Sequence, residues 1–448
     1  MNVRLAIVLF ALAALSPACS GGGPPADTGA EEGDLRDDET AGDTMGEEIG
    51  EDEEKCEDGE EAADEDPEGV DVAQEDGSDM QSEPGPTLCD FAREPGVEHA
   101  ADMAGGRYAP LAARLDDGRV LIAGGYDFET GIQTSAELFD PETSGLVETG
   151  PLRRGRNFSA VTRLTDGTFL VTGGFHPTYG SLAASEIYDP GEGLFRYSSN
   201  MHSTREAHGA TLLPDGSVLV TGGLSAVGFA FHQTAELYDP VEGRFVMTGE
   251  MADPRAFHAA AYIPSVEKVL VVGGDSGSGE LASAGLFDPS TLRFSPSLSH
   301  LAHPAKAPTA TLLFDGRVLV AGGANAGDGT LGMAMLYDPG ADSFEPAAEM
   351  NERRMAHAAV RLPDGRVLVS GGWSDSLSPS SSTGSIEVYD PDTGVWEMLG
   401  PQLASPRHDH VMILLFDCRV LVIGGQEVLP EAPPIAPAVI EIITIPTG

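Results

Sequence analysis

Seven Gly-Gly pairs set the period of this chain and constrain its fold more than any other feature. The pairs begin at residues 124, 173, 222, 273, 322, 371 and 424, so consecutive pairs lie 49 to 53 residues apart. A repeat of this length is typical of architectures in which each unit is one supersecondary element that packs against its neighbours. The sequence therefore predicts seven similar units rather than several unrelated domains.

Most units carry the signals of four short strands. A hydrophobic run of the kind found in strands buried on both faces precedes each Gly-Gly pair, as in Val120-Leu-Ile-Ala. Before this run, Asp117-Gly118 signals a two-residue hairpin turn. A third strand ends in Asp-Pro, as at Asp390-Pro391, and a fourth carries an aromatic residue, as at Trp396. With 56 Gly, 32 Pro and no long amphipathic run, the composition favours short strands joined by tight turns. We predict an all-β fold.

The order Gly-Gly, Tyr-Asp-Pro and then an aromatic residue, repeated about every fifty residues, resembles the kelch repeat. The segment Leu-Pro-Asp-Gly-Arg-Val-Leu-Val at 362–369 is similar to bacterial kelch and galactose-oxidase-like propellers. The resemblance covers residues 97–448 and implies a seven-bladed β-propeller of kelch type. Because this fold hosts oxidases, epimerases and binding modules alike, it does not by itself select a function.

The two ends of the repeat region predict how the ring closes. The last unit has a third-strand candidate at 438–444 and no fourth strand after it. Residues 96–103 stand where a fourth strand precedes every later unit, so we expect this N-terminal strand to complete the seventh blade. Closure of this kind removes open strand edges. The predicted propeller domain is 96–448.

The N-terminus predicts export. Residues 1–18 combine Arg4 with an apolar stretch too short to span a bilayer, which indicates a signal peptide. Leu15-Ser-Pro-Ala-Cys19 resembles a bacterial lipoprotein cleavage box, although the leucine stands four residues before the cysteine instead of three. The resemblance implies lipidation at Cys19, and Ser20 implies an outer membrane lipoprotein or cell surface location. Plain secretion, or a periplasmic location, is the alternative.

Residues 19–95 are predicted to form a disordered acidic tether. Residues 27–90 hold 28 Asp and Glu against 2 Lys and Arg, and large apolar residues are few, so this segment cannot bury enough surface to fold. It supplies more than half of the formal net charge of −47. No net basic face is expected, which excludes nucleic acid as a partner.

Three cysteines remain if Cys19 is lipidated. Cys418 replaces the glycine of the hairpin turn in the last unit, and Cys89 precedes the closing strand, so a Cys89–Cys418 disulfide would lock the ring. Export permits such a bond. A Cys56–Cys89 bond and the absence of any bond are the alternatives.

Arginine recurs at one position in six of the seven units. It stands four residues after a Met or Leu that recurs at its own position in the repeat. In kelch propellers this position lies at the mouth of the central channel, so a ring of guanidiniums there would attract an anionic group. The alternative is that the arginines hydrogen-bond carbonyls between blades. If the ring is open, the acidic tether could also fold back onto it. The six candidate ligand-binding residues are Arg107, Arg156, Arg205, Arg255, Arg354 and Arg407.

Four histidines also share one repeat position, which favours a structural hydrogen-bonding role over metal binding; they are His208, His258, His357 and His410. We predict no metal and no cofactor, because no cysteine stands where the cysteine-to-tyrosine cross-link of the copper-radical oxidases would need it. No catalytic residue stands out.

We therefore expect an envelope-anchored, monomeric binding or interaction module. It would recognise a protein, an anionic small molecule or a glycan at the channel mouth and at the variable loops 126–134, 175–183 and 373–383. The membrane would be contacted through the lipid anchor only. The alternative is a carbohydrate-active enzyme, oxidase-like or epimerase-like, on the same fold.

Overall fold

The computed structural model describes residues 94–375, 381–430 and 432–445. Seven four-stranded antiparallel sheets form a seven-bladed propeller. One short 3-10 helix, Val227–Phe229, interrupts the strands. The predicted all-β class and the seven blades are confirmed. The signal peptide 1–18, Cys19 and the tether up to residue 93 lie outside the described residues.

The innermost strand of each blade begins after the repeated arginine position, and inner strands of neighbouring blades contact one another around the channel, with the first beside the last. In order of blade they are Leu111–Arg114, Ala160–Arg163, Gly209–Leu212, Ala259–Ile263, Thr309–Leu312, Ala358–Arg361 and Val411–Leu414. The second strands end before the Gly-Gly pairs. They are Val120–Ala123, Phe169–Thr172, Val218–Thr221, Lys268–Val272, Val318–Ala321, Val367–Ser370 and Val420–Ile423.

The third strands end in the Asp-Pro turns or their counterparts, and the fourth strands form the outer edge of each blade. The third strands are Ala136–Asp140, Ser185–Asp189, Ala235–Asp239, Ala284–Asp288, Ala334–Asp338, Ile386–Asp390 and Val439–Thr444. The outer strands are Gly145–Thr149, Leu194–Tyr197, Arg244–Met247, Arg293–Pro296, Ser343–Pro346, Val395–Met398 and, for the seventh blade, Gly96–Asp102.

The core lies between blades. The four residues before each Gly-Gly pair are fully buried, because the second strand has a blade on either side of it. Leu121 of blade 1, for example, belongs to one buried cluster with Phe169 and Tyr188 of blade 2. Each blade thus buries its neighbour's apolar face, which no single blade could do alone.

The hairpins between inner and second strands define one face of the propeller, here called the turn face. Their geometry differs from the predicted two-residue turn: Leu115 and Arg119 are joined by a backbone hydrogen bond, and Gly118 donates back to the Leu115 carbonyl. The loop therefore has three residues, and Gly118 closes it at a φ of 88°. A type I turn needs a residue in the left-handed region to rejoin the strand, and glycine adopts it most readily.

The opposite face, here called the mouth face, carries the Gly-Gly pairs and the crossovers into the inner strands. Small hairpins follow five of the pairs: Tyr126–Asp127 with Gly131–Ile132, Phe175–His176 with Gly180–Ser181, Leu224–Ser225 with Ala230–Phe231, Ala324–Asn325 with Gly329–Thr330, and Trp373–Ser374 with Ser381–Ser382. These hairpins contain the loops predicted to vary.

The seventh blade takes its outer strand from the beginning of the propeller. Gly96–Asp102 pairs antiparallel with Val439–Thr444, from Gly96 opposite Thr444 to Asp102 opposite Val439. This is the pairing that the missing fourth strand of the last unit predicted. The strand starts at the turn face, where Arg419 contacts Glu98 and the Pro141 carbonyl. Within the described residues, no helix is long and apolar enough to cross a membrane.

Candidate functional site

The six repeated arginines lie inside the blades. Each is at most 1% exposed. Arg107 shows the common arrangement: Nη1 donates to the carbonyls of Gly124 and Ser135, and Nη2 donates to the Glu137 carboxylate at 2.9 Å. The side chain thereby fixes the crossover segment onto the blade that it enters.

Five of the arginines are paired with a glutamate on the third strand of the same blade. The distances from guanidinium to carboxylate are 2.9 Å for Arg107–Glu137, 2.5 Å for Arg156–Glu186, 2.9 Å for Arg205–Glu236, 2.7 Å for Arg354–Glu387 and 2.5 Å for Arg407–Glu441. Burial lowers the pKa of Arg156, Arg205 and Arg407, and the neighbouring carboxylate opposes that shift. A buried guanidinium needs such a partner.

The sequence interpretation of an accessible guanidinium ring therefore has to be corrected. The six arginines are at most 1% exposed and offer no surface on which a ligand could rest, and in each of them Nη1 donates to a backbone carbonyl; they are Arg107, Arg156, Arg205, Arg255, Arg354 and Arg407. The contacts are those of the structural alternative, except that the carbonyls belong to the arginine's own blade. The five glutamates were missed. Blade 5 provides the signal in the sequence, since it has Ala305 and Met335 at the positions where five of the other blades have the arginine and the glutamate.

The four repeated histidines link neighbouring blades. His208, for example, hydrogen-bonds the Thr172 hydroxyl of the preceding blade through Nε2 at 2.8 Å, and His410 contacts Ser370 in the same way at 3.0 Å. Burial lowers the pKa of His208, His258 and His357 to about 3, and nearby arginines add to the shift. These histidines are neutral at ordinary pH and serve as hydrogen-bonding groups.

The channel mouth is a ring of seven residues with the same unusual backbone. Two residues after the arginine position, φ lies between 48° and 54° in every blade. Backbone hydrogen bonds of 2.8 to 3.2 Å run from blade to blade through this ring for five of the seven links. The ring residues are Ala109, Phe158, Ala207, Phe257, Ala307, Ala356 and Asp409.

Aromatic side chains gather on one side of this mouth. Phe158 and Phe257 meet edge to face with centroids 6.2 Å apart, and Tyr108 packs on Phe158 at 5.3 Å. Phe128, from the blade 1 hairpin, stacks on Tyr108 at 5.9 Å. All four are partly exposed. The arrangement provides an aromatic surface that a ligand can reach.

Charged groups complete the mouth. The Tyr108 hydroxyl donates to Asp409 at 3.2 Å, and burial raises the pKa of Asp409 to about 6 against the lowering effects of Tyr108 and Lys306. Lys306 Nζ lies 3.5 Å from an Asp275 carboxylate oxygen and 4.6 Å from the Phe257 ring centroid. The one lysine of this cluster is therefore already balanced by a carboxylate.

A second carboxyl group stands at the blade 3 side of the mouth. Burial raises the pKa of Glu206 to about 7, although a hydrogen bond from Ser181 opposes the rise. Its Oε2 atom has no hydrogen-bond partner within the described residues, nor does the buried Oδ1 of Asn157 in the adjacent blade. These atoms are hydrogen-bond acceptors without a protein donor.

The predicted loops flank the mouth. Trp373 packs edge to face on His408 at 5.6 Å, and Tyr179 in the blade 2 hairpin is exposed with the Arg154 guanidinium over its ring at 4.6 Å. Residues 376–380 of the third loop are outside the described part. On the turn face, Cys418 takes the glycine position of the hairpin at a φ of 68° and is disulfide-bonded. Cys89, its predicted partner, is not among the described residues.

Comparisons with known proteins support the fold. The Kelch motif matches residues 354–402, which span the sixth blade. A solved structure described as a novel fungal alcohol oxidase with catalytic diversity among the AA5 family, in complex with copper, shares the fold with a TM-score of 0.60 and 16% sequence identity. The match covers 78% of this chain and 76% of that one. No curated protein matches.

Copper does not fit the residues that the structure describes. Across residues 94–375, 381–430 and 432–445, no group of three or more His, Cys, Asp and Glu side chains is placed to hold a metal ion. The repeated histidines turn Nε2 to threonine or serine hydroxyls, and Cys418 is in a disulfide on the turn face. Similarity at 16% identity concerns the fold alone.

Proposed function

We propose that this protein is a binding module and that its ligand, a neutral saccharide, sits at the channel mouth. The observation that carries the proposal is the placement of Phe158 and Phe257 at ring positions with φ of 51° and 54°. Four of the seven equivalent positions are alanine. The ring therefore needs no large side chain for its backbone geometry.

Backbone strain supports this interpretation. A left-handed conformation is costly for a bulky residue, by roughly 1–3 kcal/mol, and such residues persist where the surrounding structure imposes them, often at functional sites. Phe158 and Phe257 also remain partly exposed instead of filling the core. Their rings, with Tyr108, give an apolar face on which the C–H face of a sugar ring can pack.

The charges at the mouth favour a neutral ligand. Asp409 and Glu206 are acceptors for hydroxyl groups, whereas Lys306 is balanced by Asp275. The arginines that suggested an anionic partner are buried. An anionic ligand would therefore meet the carboxyl groups of Asp409 and Glu206, while a polyhydroxylated one would find acceptors beside an aromatic surface.

A glycan array tests the proposal. We expect the propeller-containing protein to bind neutral glycans, and the double variant Phe158→Ala, Phe257→Ala to lose at least tenfold in affinity, because the packing surface is removed. Phe314→Ala is the matched control: Phe314 is 64% exposed and lies on the turn face. Equal loss in the control, or selective binding of acidic peptides by the unchanged protein, would refute the saccharide proposal.

We further propose that the protein is exported and held at the cell envelope through a lipid on Cys19. The support is the sequence of residues 1–20 together with the position of the first strand, which enters the propeller at the turn face. A module attached through that face has its mouth free. Labelling with a radioactive fatty acid should mark the full-length protein and not Cys19→Ser; equal labelling of both would contradict the proposal.

A further inference from the structure

The buried glutamates reveal a recurrent binding arrangement, here called the carboxylate seat. In blade 2 the Glu186 carboxylate accepts hydrogen bonds from the backbone N–H groups of Arg153 and Arg154 at 2.7 and 3.1 Å, and from Arg156 Nη2 at 2.5 Å. Two consecutive N–H groups and one guanidinium thus surround a single carboxylate. Glu186 is 0% exposed, so its carboxylate makes these hydrogen bonds out of contact with bulk water.

The same seat recurs around the ring. Glu236 accepts from the N–H groups of His202 and Ser203, and Glu387 accepts from those of Asn351 and Glu352. In blades 1 and 7, Glu137 and Glu441 each accept from one N–H group and from the arginine. Blade 5 has neither partner, because Ala305 replaces the arginine and Met335 fills the space of the glutamate.

Blade 4 keeps the seat but lacks its carboxylate. Arg255 is 1% exposed and donates to the carbonyls of Gly273 and Ser283, but the residue opposite it on the third strand is Gly285. The N–H groups of Ala252 and Asp253, which correspond to those that bind Glu186, have no hydrogen-bond acceptor among the described residues. Arg255 Nε is also buried without a partner, as is Arg107 Nε in blade 1, where Glu137 fills the seat.

Asp253 does not take the place of the missing glutamate. Its carboxylate lies 3.6 Å from Arg255 Nη2 and accepts from the Ser283 hydroxyl at 2.6 Å. Glu352 occupies the equivalent position in blade 6, 3.9 Å from Arg354, while Glu387 fills the seat of that blade. Asp253 therefore corresponds to Glu352, which lies outside the seat, and not to Glu387, which fills it.

We propose that the blade 4 seat binds a small free carboxylate ion of the size of formate or acetate. Two backbone N–H groups and a guanidinium form a charge-assisted site of the kind that carboxylates occupy in the other blades. The ion would lie against a buried guanidinium whose neighbouring Asp253 carboxylate, at 3.6 Å, is too far away for a hydrogen bond. The seat is separate from the channel mouth, and the proposal does not depend on the saccharide ligand.

Gly285→Glu is the decisive variant. The Gly285 backbone is not in the left-handed region, and an added Cβ would meet the Ser295 carbonyl oxygen at 3.3 Å and a Val271 methyl at 3.6 Å, so a glutamate needs only a small adjustment. It would supply from within the chain the carboxylate that we expect from solution. Arg255→Ala with Gly285→Met copies the pair found in blade 5 and removes the seat instead.

Thermal unfolding of the full chain in sodium formate, with each variant in the same salts, tests the proposal. At a formate concentration about ten times the dissociation constant, the folded-to-unfolded ratio of the unchanged protein should rise about elevenfold. Both variants should lack this rise, and the Gly285→Glu protein should be more stable without formate.

Line broadening of 13C-formate gives a second readout that does not depend on stability. The unchanged protein should broaden the formate signal and the double variant should not. An equal formate effect on unfolding in all three proteins, or equal broadening by the unchanged protein and the double variant, would overturn the proposal.

Discussion

The Asp409 carboxylate of the last blade lies 3.2 Å from the Tyr108 hydroxyl of the first blade. The two residues thus join the blades at which the ring closes, and they do so at the channel mouth. The side chain of Asp409 is 25% exposed and burial raises its pKa to about 6. One contact therefore couples the closure of the propeller to the charge of the candidate binding site.

Asp409→Asn should change the pH dependence of stability. A proton on Asp409 favours the folded state, because the pKa of this carboxyl is about 6 when folded and near 3.8 otherwise. This contribution is fully present below the lower value and is lost as the pH rises through the higher one. The variant keeps an acceptor for Tyr108 but has no charge. In urea unfolding, its stability relative to the unchanged protein should therefore increase from about pH 4 to about pH 7.

The exposed Asp392 provides the control for this experiment. Asp392→Asn should follow the unchanged protein at each pH. A constant difference between Asp409→Asn and the unchanged protein over this range would show that Asp409 titrates as an ordinary surface carboxyl group.

The buried histidines should make the protein less stable as the pH falls, whereas the Asp409 contribution is lost as the pH rises. The pKa of His258 is about 3 in the folded protein and near 6.5 otherwise, so below the higher value the unfolded chain binds a proton that the folded one excludes. Stability falls as the pH drops from about 6.5 towards 3, by up to about 1.4 kcal/mol per pH unit for each such histidine. His258→Gln should therefore lose less stability than the unchanged protein between neutral and mildly acidic pH.

His300→Gln is the matched control, because His300 is exposed. Its acid unfolding curve should coincide with that of the unchanged protein. If His258→Gln also coincides with it, the histidine is not held neutral by the fold.

The Arg156–Glu186 pair predicts strong coupling between two substitutions. Glu186→Met alone should cost about 3–5 kcal/mol of unfolding free energy, because it leaves the Arg156 charge buried without a carboxylate. Arg156→Ala with Glu186→Met reproduces the residues of blade 5 and should cost clearly less than the sum of the two single changes. Urea unfolding of all four proteins measures the coupling. Additive losses would mean that the pair is not a unit.

Saccharide binding should be unchanged in any Arg156 or Glu186 variant that remains folded, because neither of these two side chains reaches the channel mouth.

The strands could be predicted from the sequence because their signals are local. The Gly-Gly pairs, the apolar runs and the Asp-Pro turns lie within a few residues of the strands that they mark, and Val120–Ala123 and its counterparts are buried as predicted. The direction of an arginine side chain is not local. The sequence leaves open whether Arg156 lies at the channel mouth or hydrogen-bonds carbonyls between blades, because its carboxylate partner, Glu186, stands 30 residues further along the chain and meets it only when the blade folds.

The mouth was located from the repeat, but its chemistry was not. Phe158 and Phe257 occupy ring positions that carry alanine in most blades, so no periodic signal marks them. Their positive φ follows from the crossover geometry and not from any residue preference. Departures from the repeat, such as Gly285 and Ala305, are a better guide to candidate sites. Residues that recur in every blade are those that the fold requires, whereas a residue that differs in one blade can have a role specific to that blade.

Cys418 yields the last prediction. It is disulfide-bonded in a turn-face hairpin, next to Arg419, which contacts Glu98 of the closing strand. We predict Cys89 as its partner, because residue 89 shortly precedes that strand. Peptide mapping of the non-reduced protein should recover a peptide pair containing Cys89 and Cys418. Cys418→Ser and Cys89→Ser should each lower the unfolding free energy by about 2–5 kcal/mol. Cys56→Ser should leave it unchanged, and recovery of a Cys56–Cys418 peptide pair would contradict the pairing.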